Sequence, residues 1–391
     1  MLTAKFSSGK IISLVEHASR TELEQLRKHE TFYCRGCSQK VILKLGTKRV
    51  FHFAHEKGTT CIEEYDRESE YHMQGKRKLF EWLKSQGLHP ELEFYFPSIK
   101  QRADIAFTYE GKTYCLEYQC SVISEEQFKK RTESYQRASL TPFWIVGAKS
   151  LHRIGMNKAS LTSFHYLFLR ESQTHQIYLP SYCPQADVFI LLQNIIPVST
   201  RNAQCHFSIT KLINLKFSEL MNVQSTSTLH IEKWKADLLK FKKQLFTLSI
   251  RDPFLFELYS RSLNPYYIPP YVGLPLKMNV AIETPPFVWQ TYIFLEFLYK
   301  QNKGQVIYFH KVYTAVLSWV KRKQIKIRKI PCVERNLLPF AVKDYLCALE
   351  REGILKNIKD NVFVIDKPII IANNMDNWVV QQEEFYKRFF I

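Results

Sequence analysis

No stretch of this sequence is apolar and long enough to cross a bilayer, and Met1-Leu2-Thr3-Ala4-Lys5-Phe6 does not lead into a secretory h-region. The expected compartment is the cytoplasm. A disulfide framework is missing as well: nine cysteines, an odd number, lie scattered from Cys34 to Cys347. Reduced thiols fit that scatter, with a few available as metal ligands. No internal repeat or low-complexity tract is present, which excludes solenoid arrays and linker-like chains. Acidic residues are in short supply, 37 against 55 Lys and Arg, and the formal net charge is +18. A partner rich in negative charge accounts most simply for the imbalance, nucleic acid ahead of an anionic membrane surface. Apolar residues are plentiful, 46% of 391 with 14% aromatic, enough for two or three domains that each bury a core.

Three regions separate by pattern, giving a multidomain α/β chain. Residues 1–65 are turn-rich with short strands and closely spaced Cys and His, as in a small zinc-ribbon-like β domain. Residues 66–225 open with a helical stretch at 68–86, where Leu79, Phe80 and Leu83 form an apolar side and Gly87 offers a C-cap. The segment 92–96 reads as a strand. A second helix starts at Ser124, with Gln127 completing a capping box. The segment 143–147 then reads as a buried strand, parallel to the one that precedes this helix. Residues 226–391 are mainly helical and basic, and Lys321, Arg322 and Lys323 open a cationic run there. An amphipathic helix at 341–352 precedes a hairpin at 354–365 that turns at Asp360-Asn361. Helix followed by hairpin admits a winged-helix-like DNA-binding module, but a helical bundle with a basic face is the favoured expectation.

The most informative segment is a hairpin at 102–119 with Glu110-Gly111 as a two-residue loop. Counting back from that loop places Asp104 opposite Glu117, their side chains about 5 Å apart on one face. Alternation along the strand adds Gln119 to that face and turns Tyr118 away. Two carboxylates that close repel unless a cation lies between them or one takes up a proton. A hard divalent metal, magnesium or manganese, suits such oxygen ligands.

Cys34-Arg35-Gly36-Cys37 is followed after 14 residues by His52-Phe53-Ala54-His55, and after five more by Cys61. That is one ligand more than a structural zinc takes. On an extended strand His52 and His55 point to opposite faces. Two ligand sets stay open: Cys34, Cys37, His52 and His55, or Cys34, Cys37, His55 and Cys61. The second is favoured slightly.

The order helix, three strands, helix, strand, with an acid on the second strand and Glu-x-Gln on the third, resembles the restriction-endonuclease-like PD-(D/E)xK nucleases. By that resemblance Asp104 and Glu117 hold magnesium or manganese, and Gln119 stands where a lysine is usual, beside the scissile phosphate and the attacking water. Phosphodiester hydrolysis needs a metal to acidify water and neutralise phosphate oxygens. Glutamine can orient water or phosphate but carries no charge and cannot act as a base. The resemblance also implies roles for the first helix, where Glu70 or Glu68 completes the metal shell, His72 contacts metal, water or phosphate, and Lys76, a candidate DNA contact, supplies the missing cation. On the second helix Lys129, Arg131 and Tyr135 are candidates to touch the DNA backbone.

The Cys34/Cys37 finger with 52–55, the helix opening at 68–72, Arg102-Ala103-Asp104, the segment 117–121 and the segment 143–147 together resemble the competence protein CoiA family. The resemblance implies a cytosolic DNA-processing protein of natural transformation. It would act on incoming single-stranded DNA alongside the recombinase and its loader, either as a metal-dependent DNA endonuclease or as a non-cleaving recombination mediator.

Overall fold

A computed structural model describes residues 1–16, 19–47, 50–58, 61, 68–224, 229–249 and 251–389. The expected domain boundaries at 65/66 and 225/226 both lie outside these residues. The chain forms two compact units. One contains Met1–Leu151, Leu167–Leu192 and Phe207–Val223; the other contains His152–Tyr166, Gln193–His206 and Gln224–Ile391. Among the described residues no helix is long and apolar enough to cross a membrane.

The first unit begins with five short antiparallel strands, β1 (Thr3–Phe6), β2 (Ile11–Ser13), β3 (Phe32–Tyr33), β4 (Lys40–Lys44) and β5 (His52–His55), in the order β2-β1-β3-β4-β5. Between β2 and β3 lies helix α1 (Arg20–His29), capped by the Ser19 side chain on the Glu22 amide. Alternation in β4 sends Val41 and Leu43 inward, where they meet Ile12, Leu23, Phe32 and Phe53.

Helix α2 (Glu70–Ser85) follows, with Ser69 as its N-cap. The strand expected at 92–96 is broken into β6 (Glu91–Leu92) and β7 (Tyr95–Phe96), because Glu93 adopts a left-handed φ of 51°. That turn drives the Glu93 carboxylate into the interior instead of leaving it on a pleated edge. Then come β8 (Gln101–Arg102), β9 (Ile105–Tyr109), β10 (Lys112–Gln119), helix α3 (Glu125–Arg137) and β11 (Thr141–Gly147). The capping box at Ser124 and Gln127 is present. β10 and β11 pair in parallel, as a helical crossover requires. In this unit the sheet runs from residues 207–211 through 188–192, the Ile177–Cys183 strand, β11, β10 and β9 to β6.

Close packing of α2 on β10 depends on Gly75. A Cβ built there would sit 2.0 Å from Cε1 of Tyr118. Gly75→Ala is expected to destabilise the first unit by about 3 kcal/mol, since the ring is fully buried and cannot retreat. Urea unfolding measures this; a change of under about 0.5 kcal/mol would mean that α2 slides freely.

In the second unit the helices Pro286–Phe297, Phe309–Lys321 and Leu338–Arg351 alternate with strands Val306–Tyr308, Leu355–Lys359 and Val362–Ile365. The strands form one antiparallel sheet, in which Val362–Ile365 lies between the other two. Helix, strand, two helices and a hairpin closing on the first strand is the arrangement of a winged helix, so the expected plain bundle is corrected. Val306–Tyr308, three residues long, is too short to stand out as a strand in the sequence. The hairpin turns at Asp360-Asn361, as expected.

Within the Ile231–Leu245 helix, Lys242 is 2% exposed and forms no salt bridge among the described residues. Its ammonium donates to the Tyr266 carbonyl at 3.4 Å and lies 4.7 Å from the Phe287 ring centre. Burial lowers its pKa from 10.5 to about 7. Between those values the unfolded chain holds a proton that the folded chain has released, so stability rises with pH across this window. The expected slope is about 1.4 kcal/mol per pH unit, and Lys242→Met should flatten it. Denaturant titrations of both proteins at a series of pH values give the comparison; parallel curves would refute the assignment.

Candidate active site and metal centre

The β9–β10 hairpin has the expected register, with Tyr109 paired to Lys112 and Ile105 to Leu116. Glu110 and Gly111 both have positive φ, 47° and 72°, as a two-residue type I′ turn demands. The next pair along is Asp104 and Glu117. Asp104 Oδ2 accepts from the Tyr118 amide at 2.9 Å and lies 3.2 Å from His72 Nε2, while Lys76 Nζ lies 3.6 Å from Oδ1. Burial by itself raises the Asp104 carboxyl, but His72 and Lys76 overcome this and hold it below the usual carboxylate range.

Glu117 is 3% exposed, and its Oε1 accepts from the Arg131 guanidinium and from the Tyr135 hydroxyl. Burial raises this carboxyl and nearby Asp104 adds to the rise, against the pull of Arg131. The two acids are therefore neutralised from two helices, Asp104 from α2 and Glu117 from α3. None of the described residues hydrogen-bonds Oε2 of Glu117. One or two carboxylates, with water and substrate phosphate, suffice for magnesium. In this pair Asp104 and Oε2 of Glu117 are the oxygens left to offer such an ion.

Lys76 is corrected from a DNA contact to a buried ion. It is 0% exposed, with Glu68 Oε1 at 2.5 Å and Glu93 Oε1 at 2.7 Å. Arg102 joins the cluster at 3.7 Å from Glu68 and 3.8 Å from Glu93. Glu93 also accepts from the amides of Leu2 and Thr3 at 2.9 and 3.0 Å, tying β1 to the core. Burial opposes the charge on Glu93, yet Lys76 and Arg102 hold its carboxyl below the ordinary range. Glu93 and Arg102 were not expected in the site; a lone acid inside the apolar run at 92–96 was the available signal.

Tyr135 is likewise corrected: it is 0% exposed and its hydroxyl is committed to Glu117. Arg131 is 37% exposed and also committed to Glu117, so its guanidinium serves the acid before any phosphate. Lys129 is 58% exposed and pairs loosely with Glu133 at 3.6 Å. Lys321, Arg322 and Lys323 are all exposed. His72 stacks on Tyr118 at 5.8 Å between ring centres, beside Asp104. Glu70 stays on its own helix, accepting from Gln74 at 3.2 Å. Gln119 Nε2 donates to the Ser121 carbonyl at 2.8 Å.

The second constellation is a metal-ready cluster. One ligand atom from each of Cys34, Cys37, His55 and Cys61 lies within 4.8 Å of all the others. Cys37 Sγ is 3.3 Å from His55 Nε2. His52 turns away and bonds the Val50 carbonyl through Nδ1 at 2.9 Å. Burial lowers the His55 imidazole and raises the Cys34 thiol. A neutral imidazole is ready to ligate, whereas the thiol has to release its proton to solvent as an ion binds. Three sulfurs and one nitrogen are a donor set for tetrahedral zinc.

Comparison with known proteins agrees along the chain. Family models for competence protein CoiA match as its N-terminal domain at residues 15–63, its nuclease-like domain at 68–225 and its C-terminal domain at 231–379. Competence protein CoiA of Bacillus subtilis (strain 168) is 28% identical over 355 residues, covering 90% of this chain and 94% of that protein. No solved structure matches the chain.

Proposed function

We propose, from the premise that this chain belongs to the competence protein CoiA family, that it is a metal-dependent deoxyribonuclease acting on single-stranded or branched recombination intermediates. The observation that supports this reading is the proximity of Asp104 and Glu117, just beyond the paired end of the hairpin in the nuclease-like domain. Asp104 and Oε2 of Glu117 would hold magnesium or manganese, which when bound acidifies water and neutralises phosphate charge. His72 and Lys76 keep Asp104 ionised, so that it can ligate at neutral pH. Arg131 and Tyr135 orient Glu117. Gln119, two residues on, would position water or phosphate without taking a proton. Incoming single-stranded DNA in the cytoplasm is the proposed substrate, with the recombinase and its loader as partners and Lys321, Arg322 and Lys323 as phosphate contacts.

A second reading, a non-cleaving mediator, draws on one observation: the Gln119 amide is already bonded to Ser121 and brings no cation. Incubating the purified chain with branched and single-stranded DNA, with and without magnesium or manganese, separates the two. Metal-dependent cutting supports the nuclease. Tight DNA binding with no cutting under either metal supports the mediator.

A further inference from the structure

The second unit contains a cavity of about 310 Å³, at the small end of ligand-sized pockets. It belongs neither to the acidic pair nor to the thiol cluster. Its floor is apolar, with Ile196 and Leu276 buried and Leu229 beside them. Lys277 and Arg351 make its mouth cationic and are exposed there, beside exposed His230 and half-buried His206. None of these four side chains makes a hydrogen bond or close ion pair among the described residues. Asn157 lines the same wall; its backbone carbonyl takes the Cys205 amide at 3.0 Å and its side-chain amide makes no such bond.

Two further features set this cavity apart from an ordinary surface hollow. Asn194, on its wall, holds a left-handed φ of 48° inside the Val188–Pro197 strand. Asparagine is the non-glycine residue best able to take that conformation, which bends the strand along the wall. Asp344, the one acid in the lining, accepts from the Met278 amide at 3.4 Å. Burial raises its carboxyl, against the Met278 amide, Arg351 and Lys277.

Flat imidazoles over an apolar floor suit a nucleobase, an amide suits its polar edge, and cations at the rim suit a phosphate. We infer that this cavity binds one nucleotide, base inward and phosphate at Lys277 and Arg351. The nucleotide is either an unpaired residue of a DNA strand or a free mononucleotide, for the recognition chemistry is the same. The inference stands apart from the cleavage reading, since a chain that cuts no DNA would still bind here.

Isothermal titration of the full chain with the four deoxynucleoside monophosphates, and with inorganic phosphate, tests it. Nucleotides are expected to bind at least ~tenfold more tightly than phosphate, and the combined Lys277→Ala, Arg351→Ala variant to lose at least ~tenfold in affinity at unchanged melting temperature. Both side chains are exposed, so the fold should tolerate their removal. Oligothymidine identifies the source: an equal loss for the oligomer supports a strand, and a loss confined to mononucleotides supports a free nucleotide. Absence of nucleotide binding, phosphate binding as tight as nucleotide, or an unaffected double variant would each overturn the inference.

Discussion

Asp104→Asn is expected to lower metal-dependent DNA cleavage by roughly a hundredfold or more while leaving DNA binding in place. The amide oxygen can still accept the Tyr118 amide that Asp104 holds at 2.9 Å, so the hairpin end should keep its shape. What disappears is the negative charge that His72 and Lys76 support. Lys76 retains Glu68 and Glu93, so the fold does not lose its only counter-ions. Cleavage and DNA binding should be measured on the same preparation, with urea unfolding as a control. Full-rate cutting by the variant would sink the assignment of Asp104. Loss of both cutting and binding would place the residue in DNA docking instead.

Removing metal from the thiol cluster is expected to unfold the β1–β5 sheet. The core there is small, built on Ile12, Leu23, Phe32, Val41 and Phe53. A structural zinc contributes on the order of 10 kcal/mol in domains of this kind, more than such a core can replace. The loss should spread, because Leu2 and Thr3 of this sheet donate to the buried Glu93. Losing those donors leaves the interior carboxylate with Lys76 and Arg102 but with acceptor sites unsatisfied, at a cost of about 1–3 kcal/mol. Metal analysis should find about one zinc per chain. Chelation or Cys34→Ser should abolish amide-exchange protection in β1–β5, and affinity for zinc should fall as pH drops, because burial raises the Cys34 thiol. Unchanged protection after complete chelation would show that the sheet stands without metal.

Much of both sites could be read without coordinates, and for identifiable reasons. The Glu110-Gly111 turn sets a two-residue loop, and a two-residue loop sets a register, so Ile105 pairs with Leu116 and Asp104 comes close to Glu117. Ser124 and Gln127 spelled out a helix start through local hydrogen bonds alone. The spacing of Cys34 and Cys37 marked them as metal ligands. The choice between His52 and His55 was not local: it depended on which imidazole β5 turns toward Cys61, and on His52 bonding Val50.

Local rules, which act between residues close in the chain, thus determined the turn, the caps, the strand register and the finger. Tertiary structure decided where the charges went. Lys76 looked like a surface cation on a helix and is sealed between Glu68 and Glu93; Tyr135 looked ready for DNA and is spent on Glu117. Neither could be foreseen, since a buried ion persists only when partners distant in sequence converge on it. The backbone reversal at Glu93 and the sheet closed by Val306–Tyr308 belong to the same class. Each is fixed by groups far apart along the chain, and only packing brings those groups together.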